Sequence, residues 1–135
     1  MKARVIISRI LFAIYLCAVA YLCLHTFNSP PKIPFKIWGI PSDKVIHFFM
    51  FFPFPFLAYI SYDKRIYTDA RSWLFAGATL LLGAIVAGIT EIAQMFTETR
   101  SAEWSDYLAD CIALLVMTLI ILVVDLLHNR CHRKR

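Results

Sequence analysis

The sequence predicts an all-α integral membrane protein: a four-helix bundle with both termini cytoplasmic. Three observations carry that expectation. The 135 residues are 60% hydrophobic, with a mean hydropathy of +0.66, whereas a soluble domain is about 45–50% apolar. The apolar residues gather into four runs near the ~20 residues that a helix needs to cross a bilayer. The basic residues lie beside those runs rather than along one soluble face, and they are unevenly divided between the two sides. No composition shift or internal repeat marks a second domain, so residues 1–135 form one unit.

The first span is expected over residues 5–24, with Arg9 snorkelling toward the headgroups. Lys2, Arg4 and Arg9, with Ala18-Val19-Ala20 beyond them, also fit a signal peptide. The apolar run nevertheless continues through Tyr21 to Leu24 without turning polar, which favours a retained span. From His25 to Lys44 the prolines at 30, 31, 34 and 41 exclude a regular helix and favour an extended link along the membrane surface. Ser42 or Asp43 is the expected N-cap of the second span.

That span covers residues 45–62 and contains Pro53 and Pro55, so it is expected to kink. Its aromatic run, Phe48 to Phe56, is read as lipid-facing bulk. A short charged link follows, and the third span covers residues 73–96. Gly83 with Ala87 and Ala84 with Gly88 form overlapping small-x-x-x-small pairs. This helix is expected to be the central, most tightly packed one. The fourth span covers residues 107–127 and leads into a basic tail at 128–135. Asp125 is read as snorkelling or pairing with Arg130.

Four spans put both termini on one side. That side carries ten Lys and Arg residues against Lys32, Lys36, Lys44 and Arg100 on the other, so it is expected to be cytoplasmic. The formal charge of +5 therefore reads as a topology signal and a contact to anionic lipid, with no nucleic-acid partner. Cys17, Cys23, Cys111 and Cys131 do not form a disulfide framework and are read as small core residues or spectators.

The chemistry-bearing residues converge on the outer side. His47 lies within a turn of the outer boundary of span two. By helical rise, Glu91 lies about 7–8 Å inside span three and Asp110 about 4–5 Å inside span four. Asp43 and His47 are spaced i,i+4, as are Asp106 and Asp110, while Glu91 and Gln94 are i,i+3, so each pair shares a helix face. Asp106 also suits the N-cap or first turn of span four, where the helix dipole favours an acid. Nothing about helix ends calls for Glu91 within an apolar span, where a charge costs ~2.5–3.5 kcal/mol at mid-membrane and less near the interface. Arg100 is a candidate counter-ion or phosphate clamp. His128, Cys131 and His132 read as a solvated basic end rather than a metal site.

The runs Asp43-Lys44-Val45-Ile46-His47-Phe48 and Thr90-Glu91-Ile92-Ala93-Gln94, followed by Arg100, Asp106 and Asp110, resemble the VanZ-like family. Asp43, Lys44, His47, Glu91, Gln94, Arg100 and Asp106 fall on the family's pattern, whereas Asp110 is an acid where the family has asparagine. The resemblance implies a small multi-pass protein of the bacterial plasma membrane, in a family named for a member linked to teicoplanin resistance.

The favoured reading is a binding or modulating protein. Asp43, Lys44, His47, Glu91, Gln94, Arg100, Asp106 and Asp110 would form an outer-leaflet site for a lipid-linked envelope precursor or glycolipid. In this reading Lys44 and Arg100 hold an anionic headgroup. A second reading is an intramembrane hydrolase or transferase, with His47, Glu91, Asp106 and Asp110 as catalytic candidates and Asp106 with Asp110 recruiting a divalent ion in one version. A third is a structural or assembly subunit whose polar network fixes helix register. No cofactor or resident metal is expected, and oligomeric state is not encoded in any motif.

Overall fold

The computed structural model describes residues 3–24, 36–37, 39–62, 68–96 and 103–133. Four helical segments, Ala3–Leu24, Ser42–Ser61, Asp69–Gln94 and Trp104–Cys131, are long and apolar enough to cross a membrane. The chain is thus a multi-pass membrane protein on the length and composition of its helices. The observed helices begin two to four residues before each expected span, because polar residues such as Ser42, Asp69 and Ser105 complete the first turns, while the second and third end one and two residues early and the fourth continues into the basic tail.

Helix α1 is Ala3–Leu24, and a two-residue ribbon follows it. Strand β1 (Lys36–Ile37) pairs antiparallel with β2 (Ile40–Pro41). Gly39, at φ +84°, occupies the turn between them in a conformation that an L side chain rarely adopts. This extended segment runs straight into helix α2, Ser42–Phe51. The N-cap is Pro41, and no side chain caps the helix. The sequence-based N-caps are therefore corrected: Ser42 is the first helical residue, and Asp43 turns to Lys44 instead.

The expected kink is present. Helix α2 ends at Phe51 and α3, Phe54–Ser61, restarts with Pro53 as its N-cap and a proline in its first turn, where a missing N–H costs nothing. The break frees carbonyls at the end of α2. One of them, that of Met50, accepts a hydrogen bond from the Tyr15 hydroxyl at 2.6 Å, tying α1 to the break. The break also turns aromatic rings inward. Phe51 is fully buried and Phe54 nearly so, with Phe54 edge-on to Phe12 at 5.2 Å between centroids. Only part of the aromatic run, including Phe49 and Phe56, faces outward as expected.

Helix α4 is Asp69–Gln94, and the Thr68 side chain caps it by accepting from the Arg71 N–H. Helix α5 is Trp104–Arg133. Gly83 and Ala87 lie on the face of α4 that meets α5; a Cβ on Gly83 would come within 2.7 Å of Leu114. The small residues thus bring the two backbones close, as their spacing predicts. Helix α4 packs on α1, α3 and α5 and so meets all three other spans, the central place its small residues predict, while α5 packs on α2, α3 and α4.

At the end of the bundle that carries the termini, Asp125 is buried. It accepts hydrogen bonds from the Tyr59 hydroxyl at 2.9 Å and from the Ser72 hydroxyl. Asn129, also buried, donates to Ser72 Oγ at 3.0 Å and to Asp69 at 3.3 Å. This network replaces the snorkelling or Arg130 pairing expected for Asp125. Arg9 likewise donates to the Ser61 carbonyl at 3.3 Å, closing the C-terminus of α3 rather than reaching only for headgroups. All four cysteines are free, with Cys23 in the core and Cys17 and Cys131 exposed.

Candidate functional site

At the opposite end, α5 collects side chains from two neighbours. Its packing against α2 brings His47 to Asp110, with Nδ1 at 3.2 Å from Oδ1 and 3.4 Å from Oδ2. The other ring nitrogen, Nε2, lies 3.8 Å from Asp106 Oδ2. Asp110 is 1% exposed and His47 5%, so the pair is nearly closed to solvent. A carboxylate at Nδ1 fixes the ring's orientation and leaves Nε2 to a second partner, an arrangement suited to holding or moving a proton.

One turn nearer the membrane surface, Lys44 Nζ lies among three carboxylates: Asp106 at 2.8 Å, Glu103 at 3.0 Å and Asp43 at 3.3 Å. An ammonium has three N–H donors and all three are engaged here. Glu103 lies outside the spans, and the hydrogen bond from Lys44, reinforced by its charge, holds its carboxyl below the usual glutamate range. Among the described residues, Asp43, Glu103 and Asp106 are the only three metal-capable groups whose ligand atoms lie within 4.8 Å of one another. Lys44 Nζ is bound to all three, so their donor atoms already share a cation.

Glu91 comes from α4 and is 8% exposed. Its Oε1 accepts from the Glu103 N–H at 3.4 Å, one of the backbone donors that the start of α5 leaves without helical partners. Its Oε2 is buried and, among the described residues, has no hydrogen-bond partner. His47, Asp106 and Asp110 all lie within electrostatic range of this carboxyl. Gln94, three residues on, departs from the expected grouping: its amide donates to the Cys23 carbonyl at 3.3 Å and ties α4 to the end of α1.

The structure therefore brings together His47, Glu91, Asp106 and Asp110 at depth, with Asp43 and Lys44 at the rim. Arg100 lies outside the described residues, as do Lys32, Trp38 and the charged link at 63–67. Asp106 is a first-turn acid of α5, as expected, but its side chain serves Lys44 rather than an N-cap. Divalent-ion recruitment by Asp106 with Asp110 is not matched by the geometry, since Asp110 is spent on His47 and belongs to no three-ligand group among the described residues. Sequence reasoning missed Glu103, which reads as a solvated loop acid. Its spacing of three from Asp106, across the start of a helix, was the available signal. A separate cavity of about 330 Å³ lies between α1, α3 and α4, lined by Phe12, Phe54, Leu74 and Phe75; it is apolar and unconnected with these residues.

A family model, VanZ/LLP1, matches residues 12–125 of the chain. That stretch contains every residue of the polar cluster, the second and third candidate spans in full, the first from residue 12 and the fourth up to residue 125. No curated protein and no solved structure gives a significant match.

Proposed function

Since the chain belongs to the VanZ/LLP1 family, we propose that this multi-pass membrane protein binds the headgroup of a lipid-linked or glycolipid component of the bacterial cell envelope. The polar cluster that α2, α4 and α5 contribute is the binding site in this reading, and it faces the outer leaflet of the plasma membrane. The observation that carries this reading is Glu91 Oε2, a buried carboxylate oxygen without a partner. A buried unpaired polar atom costs about 1–3 kcal/mol, more when charged, and such an expense is sustained where a ligand completes the bond. Its neighbours fit the role: His47 is oriented by Asp110, and Lys44 ties the rim carboxylates of α2 and α5 together. The positive-inside bias supports the outward orientation. A link to teicoplanin susceptibility is a consequence to be tested in cells.

The test is to extract the lipids that co-purify with the full chain and with Glu91→Gln and His47→Ala, normalised to protein. The expected result is an envelope lipid retained by the wild-type chain and reduced at least tenfold in Glu91→Gln, with protein abundance unchanged. Wild-type protein free of any such lipid, together with full cellular function in both variants, would remove the proposal.

The mutual pairing of His47 with Asp110 and of Lys44 with its three acids favours one competing reading, a structural network that fixes helix register in an assembly subunit. It predicts the opposite pattern for Glu91→Gln: that variant loses abundance, and the surviving molecules act normally.

A further inference from the structure

Among the described residues the charge of this cluster has a sign, and it is not the sign that an anionic headgroup needs. Five carboxyl groups converge from rim to depth, those of Asp43, Glu91, Glu103, Asp106 and Asp110, against one lysine and one histidine. Lys44 is the cation that a phosphate would seek, yet its three contacts already saturate its donors. A phosphate reaching Lys44 would have to break one of those bonds and sit beside carboxylates. The remaining unfilled valence in the cluster is an acceptor, Glu91 Oε2, within electrostatic range of Asp106 and Asp110.

We propose that the deep end of the cluster is a subsite for a primary ammonium group carried by a membrane lipid, with Glu91 Oε2 as its principal acceptor. This rests on the reading of the cluster as a headgroup site and names the chemistry that the site selects. The Lys44 ammonium shows how carboxylates from two helices are bridged by three N–H donors at 2.8–3.3 Å. A ligand ammonium donates to Glu91 Oε2 as the Lys44 ammonium donates to each of its carboxylates. A divalent ion suits the position less well, because Glu91 belongs to no group of three ligands close enough to share one, among the described residues. Quaternary ammonium heads lack N–H donors and are predicted to be rejected, as are headgroups bearing only hydroxyls and phosphate.

The experiment is native mass spectrometry of the full chain, titrated in detergent with phosphatidylethanolamine, phosphatidylcholine or phosphatidylglycerol of identical acyl chains. The expected result is that phosphatidylethanolamine binds at least tenfold more tightly than either of the others, and that Glu91→Gln removes this preference. Equal binding of the three lipids, or preference for phosphatidylglycerol, would overturn the ammonium subsite while leaving a headgroup site standing. A preference that survives Glu91→Gln would overturn the assignment to Glu91. Absence of binding by all three, together with no co-purifying envelope lipid, would remove both the subsite and the reading beneath it. The comparison of headgroups on the wild-type chain decides the matter even if Glu91→Gln fails to fold.

Discussion

Asp110 is a buried acid, and the structure gives it one hydrogen-bond partner, His47. Removing one member of a buried pair is worse than removing both, because the survivor keeps its desolvation cost without its bond. His47→Ala is therefore expected to destabilise the protein by about 3–5 kcal/mol, measured by denaturation in detergent micelles. His47→Leu with Asp110→Leu is expected to recover most of that loss. Asp110→Asn keeps an acceptor for the ring and is expected to stay within about 1.5 kcal/mol of wild type. A double variant no better than His47→Ala would show that the pair is not closed on itself. His47, Glu91 and Asp110 were legible in the sequence because an ionisable group in an apolar run stands out against its surroundings. Ser72 and Asn129 were not, since small polar residues in a span carry little penalty and their partners are set by helix packing. Glu103 was hidden for the reverse reason, as an acid in a polar link looks solvated.

At the scale of elements, α4 and α5 are held by a contact with no slack. A Cβ at Gly83 would meet two methyl carbons of Leu114 at 2.7 and 2.9 Å. Because those atoms end a flexible side chain, Gly83→Ala is partly absorbed, whereas Gly83→Val is expected to cost ~1–3 kcal/mol. Leu114→Ala is expected to be less damaging in the Gly83→Ala background than alone, a coupling that a double-mutant cycle in micelles reads directly. The small-residue spacing made this contact legible. The packing of α5 against both halves of the broken second span was not, because it depends on how the spans arrange themselves. A second element-scale contact is ionic, where Lys44 on α2 holds Glu103 at the start of α5. The Glu103 carboxyl is depressed in the folded state, so its contribution is fully present above the ordinary glutamate range and is lost as pH falls through the depressed value. Melting temperature is expected to be insensitive to this pair from neutral pH down to about 5 and to fall below about 4. Glu103→Gln should remove part of that fall and leave the neutral value nearly unchanged, since exposed pairs contribute little.

Across the whole molecule, the buried ionisable groups gather at the two ends and the middle is largely apolar, with Gly83, Ala87, Ala113 and Leu114 at its core and the Thr79 and Thr118 hydroxyls within it. The ends differ in kind. At the end with the termini, Asp125 accepts from Tyr59 and Ser72 while Asn129 bridges Ser72 to Asp69, a network that binds α3, α4 and α5 to one another. The other end keeps an open valence on a carboxylate, Glu91, where the end with the termini leaves only the Ser61 hydroxyl unpaired among the described residues. The proposed outer-leaflet ligand requires the Glu91 end to face outward, which the ten-to-four division of basic residues predicts. Trp104 and Cys131 are exposed at opposite ends of α5 and test this directly. In a Cys131→Ser background, Trp104→Cys is expected to react with a membrane-impermeant maleimide on intact cells. Native Cys131 is expected to react only after the membrane is opened. The reverse pattern would turn the cluster toward the cytoplasm, and an envelope component in the outer leaflet would then have no path to Glu91, whatever the affinity of the isolated protein.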